Sequence, residues 1–143
     1  MKISIASDHA AYNEKQEIIN YLSDKKIDIL DLGTNSEESV DYPIFGQRVA
    51  ESIIDKKADR GIVICGTGIG ISIAANRYKN IRATLCSTPT HAEMARKHND
   101  SNVLALGGRT TALNDLKRIV DVWLSTDFEG GRHQKRINLI EKI

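Results

Sequence analysis

Aromatic residues make up only 5% of this 143-residue chain, too few to build the platforms on which nucleic-acid bases stack. Neither sign of charge prevails, with 20 lysines and arginines against 19 aspartates and glutamates, so a dedicated nucleic-acid binder is not expected. Two cysteines occur, Cys65 and Cys86, without a Cys-x-x-Cys spacing. That leaves no disulfide framework and no zinc motif. No apolar run approaches the roughly 20 residues of a membrane span, and the first residues enter a strand-like run with no leader pattern. The expectation is a soluble cytoplasmic protein with neither a membrane nor a nucleic-acid partner. Two nucleotide motifs are also missing. Counting from Gly66, Ile71 stands where a dinucleotide fingerprint needs its third glycine, and no lysine follows as a P-loop requires.

What is present is a regular alternation. The length suits one domain over residues 1–143 with a substantial core. Strands are expected at 2–7, 27–33, 61–65, 81–87 and 102–108. Helices are expected over 14–25, from near Pro43 through Ile54, over 69–78, 90–97 and 112–124, and from about 132. No internal repeat, low-complexity segment or linker interrupts the pattern. Strands alternating with helices imply right-handed crossovers and a parallel sheet covered on both faces. The fold expected is a three-layer α/β/α, Rossmann-like domain with a five-stranded parallel sheet.

The most informative stretch is GIVICGTGIGI at 61–71. A β-branched run delivers Cys65 to a loop holding Gly66, Gly68 and Gly70, and a helix follows. Free main-chain N–H groups and a helix N-terminus together make an anion site. A thiol at its mouth adds a proton acceptor, a pairing suited to catalysis. Alone, such a loop also fits a tight strand-to-helix turn. Ligands in these sheets gather outside the carboxyl ends of the strands. The residues there are Ser7-Asp8-His9, Gly33-Thr34, Cys65-Gly66-Thr67, Ser87-Thr88 and Gly107-Gly108-Arg109, and a dense polar rim at one edge is expected. His98-Asn99-Asp100, closing the fourth helix, and Gly130-Gly131-Arg132-His133-Gln134 add two polar clusters.

Plainer readings exist for each. Asp8 could be a helix cap, and His98 a residue favoured at a helix C-terminus. Arg132 and Arg136, four apart, could form an exposed basic stripe. Cys86, inside an apolar strand, reads as a small buried hydrophobe. Tyr42 could line the site or pack, and His91 and His133 carry no motif of their own.

In combination the motifs say more. SDHA at 7–10, DLGT at 31–34, VDYP at 40–43, ICGTGIGISIAAN at 64–76, Arg82-Ala83, RKHNDSNVLALGGR at 96–109 and EGGRHQKRI at 129–137 follow in order over nearly the whole length. With these words the chain resembles the ribose-5-phosphate isomerase B family, within the ribose/galactose isomerases. The resemblance implies a cofactor-free, metal-free aldose–ketose isomerase of sugar phosphates, working as a homodimer or dimer of dimers with its site at the subunit interface.

It also implies roles. Cys65 matches the base that moves a proton between C2 and C1 through a cis-enediolate; electropositive loops at helix N-termini favour a thiolate. Gly66, Thr67, Gly68, Ile69 and Gly70 match the anion hole. His98 matches the acid that opens the furanose ring, with Asp8 at the anomeric hydroxyl, and Asn99 contacts a sugar hydroxyl. His9, Arg132 and Arg136 match the phosphate end, where an arginine fork pairs with phosphate oxygens, and Arg109 assists binding. By the same analogy His98, Asn99 and Arg109 come from the neighbouring subunit.

One family branch replaces the cysteine by a glutamate at the position of Ile71, so the thiol branch applies here. The galactose-6-phosphate relatives divide these motifs between two different chains, whereas this chain holds all of them, which favours a pentose phosphate. The alternatives are an isomerase of allose 6-phosphate or galactose 6-phosphate, or a non-catalytic sugar-phosphate-binding module.

Overall fold

Three runs alternate large and small apolar residues so that each strand serves two different faces. The structure, a computed structural model, describes residues 1–143. Its strands are β1 (Lys2–Ser7), β2 (Asp28–Asp31), β3 (Arg60–Cys65), β4 (Ala83–Leu85) and β5 (Val103–Gly107). They pair in the order β2-β1-β3-β5-β4, all parallel. The helices are α1 (Tyr12–Asp24), preceded by a 3₁₀ turn at His9–Ala11, then α2 (Tyr42–Ile54), α3 (Ile69–Ala75), α4 (Pro89–Asn99), α5 (Leu113–Ser125) and α6 (Arg132–Glu141). The expected α/β/α sandwich with five parallel strands is the one found, and no helix is long and apolar enough to cross a membrane.

On one face Ile3, Ile5, Ile62, Ile64, Leu104 and Leu106 meet Ile18 and Leu22 of α1 and Leu116, Ile119, Val120 and Trp123 of α5. Trp123 is fully buried and donates its indole N–H to Ser101 Oγ at 3.1 Å, as a buried tryptophan requires. The opposite face carries smaller residues. Ala6, Val63, Cys65, Val103 and Ala105 meet Phe45, Val49 and Ala50 of α2 and Ile71 and Ala75 of α3. There α2 presses so close that a Cβ on Gly61 would lie 2.2 Å from Val49 Cγ1. A fully buried charge interrupts the apolar layers: Lys15, with no exposure, donates to Asp31 Oδ1 at 2.7 Å.

Several boundaries differ from expectation, each for a local reason. The fourth strand shrinks from 81–87 to Ala83–Leu85 because it is an edge strand with β5 as its single neighbour. The third helix stops at Ala75 rather than 78. Asn76 turns back to β4, accepting from Ala83 N–H at 2.7 Å and donating to Ala83 O at 2.8 Å. The fourth helix is longer than 90–97, since the Thr88 hydroxyl caps its start by accepting from His91 N–H at 3.1 Å. It continues until Asp100 turns left-handed at φ +45°, so His98 and Asn99 belong to its last turn.

Candidate active site

The strand order reverses direction between β1 and β3, which is where open α/β sheets place ligands. Cys65 ends β3 and is 5% exposed. Its Sγ accepts the Gly68 N–H at 3.1 Å. That bond depends on a left-handed Gly68, φ +78°, where any Cβ would stand 2.6 Å from Leu85 Cδ1 and 2.8 Å from the Leu106 carbonyl carbon. Only glycine allows both the turn and the close approach. Thr67 Oγ1 accepts the Ile69 N–H at 3.2 Å, which leaves its hydroxyl proton free to donate. The amides of Gly66, Thr67, Gly70 and Ile71 donate to no protein atom, so the loop presents unpaired donors beside a sulfur that it orients. Ile71 itself is fully buried, an apolar core residue and not a base. The Tyr42 ring covers Gly70, with Cζ 2.6 Å from where a Cβ would stand.

Asp8 follows β1 directly and is nearly buried. Its N–H donates to Ile64 O at 3.2 Å, which ties it to β3 one residue before the thiol. Its Oδ1 accepts from Ala10 N–H at 3.0 Å. The capping reading therefore holds, and one carboxylate oxygen is left for other partners. His9 Nδ1 accepts the Val40 N–H at 3.0 Å, so Nε2 is its remaining donor. Arg109 joins this group: its N–H donates to Gly66 O at 2.9 Å, and its side chain lies over the bare face of Gly66. Analogy assigned Arg109 to a neighbouring subunit; in this chain it packs on the chain's own loop.

The other candidates do not lie here, which corrects the expectation of one dense edge. A crossover helix must return from the carboxyl end of one strand to the amino end of the next. The last turn of α4 is therefore at the amino edge, one length of β5 away, about 16 Å at ordinary strand rise. Arg82, just before β4, fixes it there by donating to the carbonyls of Asn99 at 2.9 Å and Asp100 at 3.1 Å. Arg82 also pairs with Glu141 at 2.7 Å, which anchors α6 across the same edge.

His98 stacks on His133, centroids 4.4 Å apart and planes 15° from parallel. Burial, then the nearby His98 and Arg132, hold the His133 imidazole below its ordinary pKa. The guanidinium groups of Arg132 and Arg136 start α6, are exposed and pair with nothing in this chain, so the stripe is of unspent cations. The Asn99 side-chain amide is likewise unbonded. Arg82, Glu129 and His133 stand within the motifs of the sequence, which gives them no role of their own. The four-residue spacing of Glu129 and His133 was the one available signal. Cys86 is 2% exposed, and burial pushes its thiol up to about 11, in keeping with a packing role.

The candidate residues therefore fall into two groups at opposite edges, each a candidate half-site. Asp8, His9, the Cys65–Gly70 loop and Arg109 share the carboxyl edge, while His98, Asn99, Arg132 and Arg136 share the amino edge.

Comparison with known proteins matches the sequence and the fold to described molecules. The family model of the ribose/galactose isomerases matches residues 3–140. Ribose-5-phosphate isomerase B of Escherichia coli is 46% identical over 142 residues, covering 99% of this chain and 95% of that protein. The structure of Clostridium thermocellum ribose-5-phosphate isomerase B superposes with a TM-score of 0.99 at 51% identity, covering 99% of this chain and 96% of the other. The Mycoplasma genitalium enzyme, solved with bound ribulose-5-phosphate, superposes with a TM-score of 0.94 at 40% identity, covering 99% and 94%. A thiol seated in a cradle of glycine amides, a parallel 2-1-3-5-4 sheet and likeness along the full length agree: this chain belongs to the ribose/galactose isomerase family.

Proposed function

We propose that this chain is a type B ribose-5-phosphate isomerase, interconverting D-ribose 5-phosphate and D-ribulose 5-phosphate. The observation that carries the reading is Cys65 Sγ held by the Gly68 amide among unpaired main-chain donors, in a chain 46% identical to a ribose-5-phosphate isomerase B. The site is completed by a second copy, because the two half-sites lie at opposite edges of one sheet. Subunits joined as a homodimer, or as a dimer of dimers, set the carboxyl edge of one against the amino edge of the other.

His98 of one subunit donates to the furanose ring oxygen while Asp8 of the other takes the anomeric proton, and the open aldehyde results. The Cys65 thiolate removes the C2 proton, and the electron pair moves onto the carbonyl oxygen. The free amides of Gly66, Thr67 and Gly70 with the Thr67 hydroxyl hold the enediolate; one such donor is typically worth about 3 kcal/mol. The O2 hydroxyl proton passes to O1, and return of the proton from Cys65 to C1 then gives the ketose and restores the thiolate. No electrons leave the substrate, so the reaction is balanced without a cofactor. Arg132, Arg136 and His9 bind the phosphate, and Asn99 and Arg109 orient the sugar. We place this reaction in the cytoplasm and the pentose phosphate pathway, as the family resemblance implies.

The test is turnover of ribose 5-phosphate, allose 6-phosphate and galactose 6-phosphate with deuterium exchange followed at C2. Exchange with the pentose and its absence in Cys65→Ala are expected. Preference for a hexose phosphate would reassign the substrate, and wild-type exchange in Cys65→Ala would remove the thiol as base.

A further inference from the structure

At the amino edge three metal-ligand side chains converge, two of them four residues apart on one segment and the third brought in from another helix. A ring nitrogen of His98, one of His133 and a carboxylate oxygen of Glu129 all lie within 4.8 Å of one another. His133 anchors the group. Its side chain is 7% exposed, its Nε2 has no hydrogen-bond partner, and the Glu129 carboxylate stands 3.7 Å away. A buried imidazole nitrogen left unpartnered is uncommon and calls for a ligand or another cause.

We propose that His98, Glu129 and His133 form a site for one zinc-class divalent cation, whose binding withdraws His98 from any other task. Two imidazoles and one carboxylate suit zinc better than the oxygen-seeking magnesium or calcium, and they leave a fourth position open. Metal–ligand bonds of about 2.1 Å in a tetrahedron set ligand atoms roughly 3.4 Å apart. Closure therefore needs about 1.4 Å at most, supplied by the half-buried His98 and the exposed Glu129 turning toward a stationary His133. The charges around the cluster bear on it in both directions. Arg132 and Arg136, exposed and unpaired, oppose a cation, whereas the Glu129 carboxylate favours one. Lys97 is engaged by Glu93. Glu129 is held in place through its N–H, which donates to Lys97 O at 3.1 Å.

The consequence for activity rests on the ring-opening role given to His98 above; the binding itself does not. The experiment titrates zinc chloride into the metal-stripped full-length protein, in competition with a chromophoric chelator. One equivalent per chain is expected in wild type and equally in Cys65→Ala, and at least tenfold weaker binding in His133→Ala and Glu129→Ala. Glu129 lies at the surface, so its variant keeps the fold and its zinc-free turnover, and should lose inhibition by zinc. Absence of zinc binding, loss of it in Cys65→Ala, or retention of it in Glu129→Ala would each overturn the site. Tight binding at this cluster with undiminished turnover would uphold the site and overturn the role of His98 instead.

Discussion

Two inactive variants should restore each other's activity when mixed. Cys65→Ala removes the base at the carboxyl edge, and His98→Asn removes the acid at the amino edge. In the proposed homodimer each variant alone would then have two defective sites. If every site takes one edge from each subunit, a mixed dimer contains one site with both lesions and one with none. Random reassortment of equal amounts makes half of all dimers mixed, so about 25% of wild-type turnover should return under two-fold symmetry. The assay is ribose 5-phosphate turnover after the variants are mixed, partly unfolded together and refolded, with each variant alone as control. A plateau near one quarter fixes the composite site. No recovery, despite mixed dimers verified by mass spectrometry, would mean that one chain unites thiol and imidazole. The separation of the two edges by the length of β5 would then have been misjudged.

Other perturbations separate the parts. His98→Asn should slow cyclic substrate far more than an open-chain analogue, and equal losses in a stopped-flow comparison would deny the imidazole a part in ring opening. Gly68→Ala should cost about 2–4 kcal/mol of stability from a left-handed backbone and overpacking against Leu85, measured by urea denaturation. It should also abolish turnover by swinging the amide off sulfur. Arg132→Ala and Arg136→Ala should raise KM for the sugar phosphate with little change in kcat; unaltered KM would return both to the solvent. His133 titrates below its ordinary value when folded. The unfolded chain thus binds its proton first, and stability falls as pH drops below about 6.5. His133→Gln should flatten the decline in Tm between pH 7 and 5, and an unchanged slope would show that other groups cause it.

Local chemistry was legible where one segment holds all the partners. The β3 run, the glycine turn and the seat of Cys65 are contiguous, and Asp8 reads correctly as a cap because the N–H that donates to it lies two residues on. What escaped depends on where a helix delivers its last residues. His98 follows a strand in sequence by eleven residues or so, and counting does not reveal that the chain has by then crossed the sheet. Arg82 fixes that end of α4 through carbonyls seventeen and eighteen residues away, which no periodicity encodes. Likewise the stack of His98 on His133 joins two helices, and neither segment alone specifies it. The shortened β4 reflects pairing on one side, a property of the sheet and not of the residues IRATLCS.

The unequal sizes of the two apolar layers make the chain's tolerance of change lopsided. Where Ile and Leu interlock with α1 and α5, one branched aliphatic can replace another with modest loss, since volume can be redistributed among long side chains. Beneath α2 the spacing is set by a bare Gly61 against Val49, and adding a single methyl there would lever the helix off the strand that ends in Cys65. Substitutions that leave the fold and the thiol in place are therefore expected on the face packed by α1 and α5 and not beneath α2.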